Sequence, residues 1–246
     1  MTIKTLDLNE TAFISSVASD VRDFFVDAVN PDLSERKVSF DTRAPSQREA
    51  YSSDVLSTSG QLINAVEQMR FATEMLSGFR SNGNSAMTRY DYIVFQMENH
   101  LLRAGMIVDR SLKLVNSVFN LGNPPAQCKF DVVTKNRYVV NSPSAGALKA
   151  IRKRMQSTQA ERNNVVHSKS YDHDDLYHIG LHSTMLRSGT DATTDWAAQF
   201  IKTQADNFVI GRKSELTILN DDVLKLIAAL FDSLIPAYNE QLKKMG

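Results

Sequence analysis

Cysteine is nearly missing from these 246 residues: Cys128 stands alone. A single thiol excludes an internal disulfide framework and any zinc site built from several cysteines. Glycine and proline are scarce, at 10 and 6 residues, which leaves little turn chemistry for an all-β chain. Neither sign of charge is in excess, since 28 Lys and Arg balance 28 Asp and Glu. No global basic field draws in nucleic acid, so any such binding must come from a local patch. No run reaches 18 apolar residues, and the start, MTIKTLDLNE, has no apolar signal core. A cytoplasmic protein with no membrane contact is the expectation. A Gly-rich phosphate loop, a nucleophile elbow and a dinucleotide fingerprint are also missing, which leaves ATPase, hydrolase and dehydrogenase readings without support.

What the chain does have is helical periodicity. A first segment covers 10 to 28 and ends at NPD, 30 to 32, before the polar linker DLSERKVSFDTRAP. Ser46 and Glu49 form a capping-box pattern opening a long helix, with a stripe through Val55, Leu62, Val66, Met69, Thr73 and Leu76. SGFRSNGNS breaks it, and Thr88 with Asp91 suggests a second box. From there a stripe runs Tyr90, Val94, Met97, Leu101, Ala104, Val108, Val115 and Phe119, with Leu102, Ile107 and Leu114 lying off it. A helix apolar around most of its girth packs on several sides. LGNPP, 121 to 125, stops it. The interval 126 to 141 is mixed, and RYVVN reads as a short strand or a loop. Ser142 and Pro143 open another helix, expected to run to about His167. Further segments cover about 173 to 186, 194 to 210, and a last helix capped by Asn220 and kinked or ended by Pro236. RSGTDATT reads as a loop. The expectation is one all-α domain, 1–246, a bundle of roughly seven or eight helices with two or three long central ones.

The stretch ERNNVVHSKSY, 161 to 171, raises the functional question. The stripe of its helix is Leu148, Ile151, Met155, Thr158, Arg162, Val165, which puts Arg162 on the apolar face. A cation there needs a carboxylate, an interface or an anionic ligand. Asn163 and His167 are four apart and share an adjacent face. Arg162 and His167 are about 140° apart around the axis by helical period. They line one cleft only if the helix edge faces it or a symmetry mate completes it. Arginine is a permanent cation and histidine the side chain that titrates nearest neutrality, so the pair suits binding a phosphate and moving a proton. The alternative is an ordinary surface Arg and a polar helix end. Upstream, LKAIRKRMQ concentrates Lys149, Arg152, Lys153 and Arg154. They read as an RNA-binding patch that tracks phosphates, or as a solvated basic face.

The order Arg, Asn, three residues, His in RNNVVH resembles the signature of the HEPN superfamily (higher eukaryotes and prokaryotes nucleotide-binding domains). A long central helix precedes it, YIVFQMENHLLRAGMIVDRSLKLVNSVFNLG, and two further helices follow. The resemblance covers 88–240, with 1–80 as added N-terminal helices. It implies a metal-independent endoribonuclease acting without a cofactor, as a homodimer whose two motif helices face across the twofold axis. His167 is then general base or acid, Arg162 stabilises charge on the phosphate, and Asn163 orients one of them. Products end in a 2′,3′-cyclic phosphate. The resemblance also implies a toxin or antiviral role, with an antitoxin or regulatory partner. Because some members only bind, a non-catalytic module holding nucleic acid or a partner protein stays open.

Other signals compete. His178 and His182 have a helical metal-ligand spacing, with Asp172, His173, Asp174 and Asp175 nearby, but Ile179 stands where a zincin has Glu. Asp109 is either an acidic partner for Arg162 or His167, or half of a helix ion pair. His100 reads as a packing histidine, and the nine Met as core filler.

Overall fold

Two capping boxes fix where the long helices begin in the computed structural model, which describes residues 6–32, 37–40, 43–80, 87–167, 170–188 and 195–245. The Ser46 N–H donates to the Glu49 carboxylate at 2.8 Å, and the Glu49 N–H to the Ser46 hydroxyl at 3.2 Å. The same reciprocal pair joins Thr88 and Asp91, at 2.9 and 3.2 Å. Each box satisfies donors that the first helical turn leaves orphaned. The helices that follow are α2 (Gln47–Met75) and α3 (Arg89–Val118). Asn120, in the left-handed conformation with φ 50°, ends α3. Leu121 N–H reaches back to the Asn116 carbonyl and Asn120 N–H to that of Ser117, both at 3.0 Å, which closes a Schellman motif.

The architecture is an all-α helical bundle. Besides α2 and α3 it contains α1 (Ala12–Ala28), α4 (Phe130–Thr134), α5 (Pro143–Met155), α6 (Gln159–His167), α7 (Tyr177–Arg187) and α8 (Asp195–Met245). Parts of the expected linker, at 33–36 and 41–42, and of the loops expected at 77–85 and 187–194, at 81–85 and 189–194, lie outside the described residues, as do 168–169 of the motif stretch. Among the described residues no helix is long and apolar enough to cross a membrane.

Several local expectations give way. Val29–Asp32 and Lys37–Phe40 pair as an antiparallel hairpin, β1–β2, with Val29 opposite Phe40; the polar composition hides the alternation of KVSF. Residues 130–134 form the short helix α4, and 137–141 are turns, the loop alternative for RYVVN. The motif helix is not uniform: a 3-10 turn, Gln156–Thr158, separates α5 from α6. The two expected C-terminal helices are one helix of 51 residues. Asn220 caps nothing; it is buried within α8. Pro236 also lies inside α8, where a proline gives up its own N–H bond to the preceding turn without forcing an end.

Packing divides into two compact units, and α2, α3 and α8 each contribute to both. The first comprises 1–64, 107–153 and 224–246. Its core joins Phe13 to Phe231 at 5.3 Å between rings and stacks Tyr51 on Tyr238 at 5.6 Å. Both phenols are satisfied: Tyr51 donates to the Val118 carbonyl at 2.7 Å, and Tyr238 to Asp20 at 2.8 Å. Burial pushes both hydroxyls far above the usual tyrosine range, so they stay protonated and able to donate.

The second unit comprises 65–106 and 154–223, with Val66, Met69, Met97, Leu101, Tyr171 and Leu216 in its core. At its centre His100 Nε2 lies 3.1 Å from Asn220 Oδ1, and Asn220 Nδ2 donates to Thr73 Oγ1 at 2.9 Å. The amide oxygen can only accept, so His100 carries its proton on Nε2. Burial lowers its pKa to about 4, outweighing the Asn220 bond that favours the charged form. Between the ordinary histidine value and pH 4, the unfolded chain takes up a proton that the native state refuses. Stability is therefore expected to fall as pH drops through that window, by about 3 kcal/mol at most. Urea unfolding at pH 7 and pH 4.5 checks this: the drop should shrink in His100→Gln, and an equal drop in both proteins would contradict it.

Candidate functional site

A glycine in the middle of α3 determines where the motif arginine sits. Glycine in a helix interior costs about 1 kcal/mol relative to alanine. At Gly105 the reason is spatial: a Cβ there would lie 2.6 Å from Arg162 Nε and 3.1 Å from its Cδ. The Arg162 side chain thus occupies the place of the missing side chain and rests on the α3 backbone. The stripe expected from periodicity is what buries it: Leu148, Ile151, Met155 and Thr158 are buried, and Arg162 and Val165 half-buried.

Arg162 has little to hold. One terminal nitrogen lies 3.4 Å from Asn163 Oδ1, a long contact, and the Nε is buried with no hydrogen-bond partner. An unsatisfied buried donor costs about 1–3 kcal/mol, so its presence in a native structure calls for an explanation. His167 is exposed in the last turn of α6. The two residues share one helix and so keep the angular separation of the helical period. The fold does not turn them toward a common point within α6.

Other contacts pin α6 and the loop after it. Arg212 on α8 forks onto Glu161 and onto Glu215, the latter at 2.8 Å. Burial works against the Arg212 charge, but Tyr171, Glu161 and Glu215 more than offset it and hold the guanidinium charged. Beyond the helix, the Tyr171 N–H donates to the Glu98 carboxylate on α3 at 2.8 Å. Its hydroxyl is buried beside Arg212, and burial pushes it up to about 12 against the opposing pull of that guanidinium. Gly105, Glu98, Tyr171 and Arg212 were not singled out from the sequence. Only Gly105 carries a local signal, an isolated glycine inside a helical stripe.

The basic residues upstream divide. Lys149, Arg152 and Lys153 are exposed on α5, and Arg152 stacks its guanidinium 4.2 Å from the Phe130 ring centre. Arg154 is committed to Asp222 at 2.9 Å and to Ser157 at 3.1 Å. Asp109 pairs with Lys113 one turn on, at 2.7 Å, and Arg110 donates to the Gln61 carbonyl; that aspartate is half of a helix ion pair. His178 is exposed, whereas His182 Nε2 is buried without a partner. His173 accepts the Asp175 N–H at 3.2 Å and meets Phe208 edge-on. Among the described residues no three His, Cys, Asp or Glu groups are placed to hold a metal ion.

The Gly105 contact gives a test that separates stability from function. Gly105→Ala is expected to leave stability unchanged or raise it by up to about 1 kcal/mol, since alanine is the better helix former and the arginine side chain can swing aside. The same substitution forces Arg162 off this seat, and if the seat serves catalysis, activity should fall about 10- to 100-fold. Thermal unfolding and activity measured on one preparation check both halves; full activity would show that the seat over Gly105 is not used.

Residues 61–190 match the family model described as HEPN_Cthe2314-like HEPN, a region that takes in the seat on α3, the whole of α6 and α7. No curated protein and no solved structure matches the chain.

Proposed function

The chain belongs to the HEPN superfamily, and from that membership and the seat of Arg162 we propose that it is a metal-independent endoribonuclease. The observation that carries the reading is the half-buried guanidinium with an uncommitted Nε. A planar, permanently charged fork with donors to spare suits a phosphate whose oxygens gain charge during attack. His167 takes the proton from the 2′-hydroxyl as the 2′-oxygen bonds to phosphorus. The bond from phosphorus to the 5′-oxygen breaks, and that oxygen takes a proton from solvent as it leaves. Asn163 keeps the fork oriented. Products carry a 2′,3′-cyclic phosphate and a 5′-hydroxyl, and no step calls on a metal or cofactor.

A second copy of the chain completes the site in this reading. Phe95 and Leu102, two turns apart on α3, are 56% and 41% exposed, and Val166, one turn beyond Arg162, is 41% exposed. Large apolar groups on the helices that carry the motif and its seat suit a twofold interface. Such a dimer gives His167 of one chain a route to phosphate held by its mate. A regulatory partner protein that holds a toxin or antiviral nuclease in check fits the same membership. A non-catalytic module that holds nucleic acid or a partner protein is the second reading; the separation of Arg162 and His167 around α6 favours it.

Purified protein incubated with RNA in EDTA distinguishes them. Cleavage is expected, with 2′-O-methyl RNA and DNA intact; tight binding without cleavage would favour the second reading. The exposed basic residues contribute sequence-independent affinity. Changing Lys149, Arg152 and Lys153 to Ala should weaken RNA binding and reduce the salt slope by about one unit for each phosphate no longer neutralised, with Arg154 adding little because Asp222 already holds it. An unchanged slope would mean that these residues are only a solvated face.

A further inference from the structure

We propose that the cleft between the first turn of α3, α7 and the start of α8 holds one nucleotide, with its base inside and its phosphate at the mouth. The inference deepens the ribonuclease reading by adding a base-selecting subsite away from the scissile phosphate. Tyr90 and Gly105 are fifteen residues apart on α3, about 22 Å at the helix rise, so the cleft and the Arg162 seat are different places.

Size comes first. The cleft measures about 200 Å³, room for one ring system rather than an extended ligand. Ile179, Ile201 and Ala205 make its walls apolar, and Tyr90 supplies an aromatic side. That ring is set close against α7: a Cβ on Gly180 would come within 2.9 Å of it. Bases taken out of a stack are held on aromatic and apolar surfaces of this kind.

Polar groups narrow the ligand class. The Ser183 hydroxyl donates to Thr88 at 2.8 Å, and the Thr88 hydroxyl to Asp91 at 2.7 Å, so both are spent. His182 is one of the residues lining the cleft, and its Nε2 is buried without a hydrogen-bond partner. An imidazole nitrogen can donate or accept, and the edge of a nucleobase offers both. Arg89 and Lys202 also line the cleft. Arg89 pairs with Asp206 at 2.5 Å through one amino group, which leaves other N–H donors of its fork. A hydrocarbon ligand would leave His182 unsatisfied and the two cations unused. An inorganic anion would leave the apolar walls empty. A nucleotide uses all three features.

Calorimetric titration of the full chain with AMP, GMP, CMP, UMP and ribose 5-phosphate tests this. At least one nucleotide is expected to bind about tenfold or more tighter than ribose 5-phosphate, the difference being the base. His182→Ala and Lys202→Glu should each weaken it by about tenfold, as expected for removal of one good polar interaction. Lys202 is exposed, so that variant folds even if the first does not. On RNA, His182→Ala should flatten base preference at a position several nucleotides from the cut while cleavage persists. Equal binding of ribose 5-phosphate, no binding of any nucleotide at millimolar concentration, or affinities indifferent to both substitutions would overturn the proposal. Cleavage with no nucleotide binding sinks the subsite and spares the nuclease; binding without cleavage does the reverse.

Discussion

His167→Ala is expected to abolish RNA cleavage while leaving the fold intact. The imidazole is exposed at the end of α6, so its removal opens no cavity and strands no partner, and surface changes of this kind seldom cost stability. Its task in the proposed mechanism is different in kind. Proton transfer by a positioned side chain contributes roughly 10²–10⁴ in rate. The loss should appear in kcat, with RNA affinity held by Arg162 and the basic residues of α5. Circular dichroism and binding should match the parent protein while single-turnover cleavage falls to background. Full activity in this variant would remove His167 from the chemistry and leave the binding-module reading in front.

Arg162→Ala is expected to be nearly as damaging, by another route. In the proposed mechanism the guanidinium meets charge that grows only as the phosphate is attacked, and losing one such donor costs about 10²–10³. Stability should not follow activity. The Nε is buried without a partner, so removing the side chain relieves a desolvation cost of about 1–3 kcal/mol even as it opens space over Gly105. A stability change within about 1 kcal/mol alongside a hundredfold loss of rate would mark Arg162 as retained for function. Arg162→Lys should recover little, because a point charge lacks the planar fork and a shorter donor set cannot fill the same seat. Good rescue by lysine would mean that only charge is required.

The parts of this protein that are legible in its sequence are those with local causes. Ser46 with Glu49 and Thr88 with Asp91 place helix starts because a capping box is settled within four residues. The stripe from Leu148 to Arg162 is readable because helical period alone decides which side faces the core. Asn220 misleads for the converse reason. Its residue type suits a cap, but its amide is claimed by His100 and Thr73, more than a hundred positions away in sequence. Pro236 misleads because packing along α8 carries the helix through a position that local propensity would end. At the candidate site, the motif spacing is what draws Arg162 and His167 out of the sequence. Nothing announces that Arg212 clamps Glu161, or that Glu98 anchors Tyr171, since both pairings join segments that only the fold brings together. Gly105 lies between these cases: its presence in a helical stripe is a visible cost, and only the structure says that Arg162 is the reason.

The most direct measurement uses a short RNA whose cut position has been mapped and a second RNA identical except for one 2′-deoxy nucleotide on the 5′ side of that cut, both incubated in EDTA. If His167 and Arg162 drive attack by the substrate's own 2′-hydroxyl, the first RNA yields a 2′,3′-cyclic phosphate end by mass spectrometry and the second stays intact at that linkage. Cleavage of the second RNA at the same linkage and rate would contradict the mechanism, because the attacking oxygen would then have come from elsewhere.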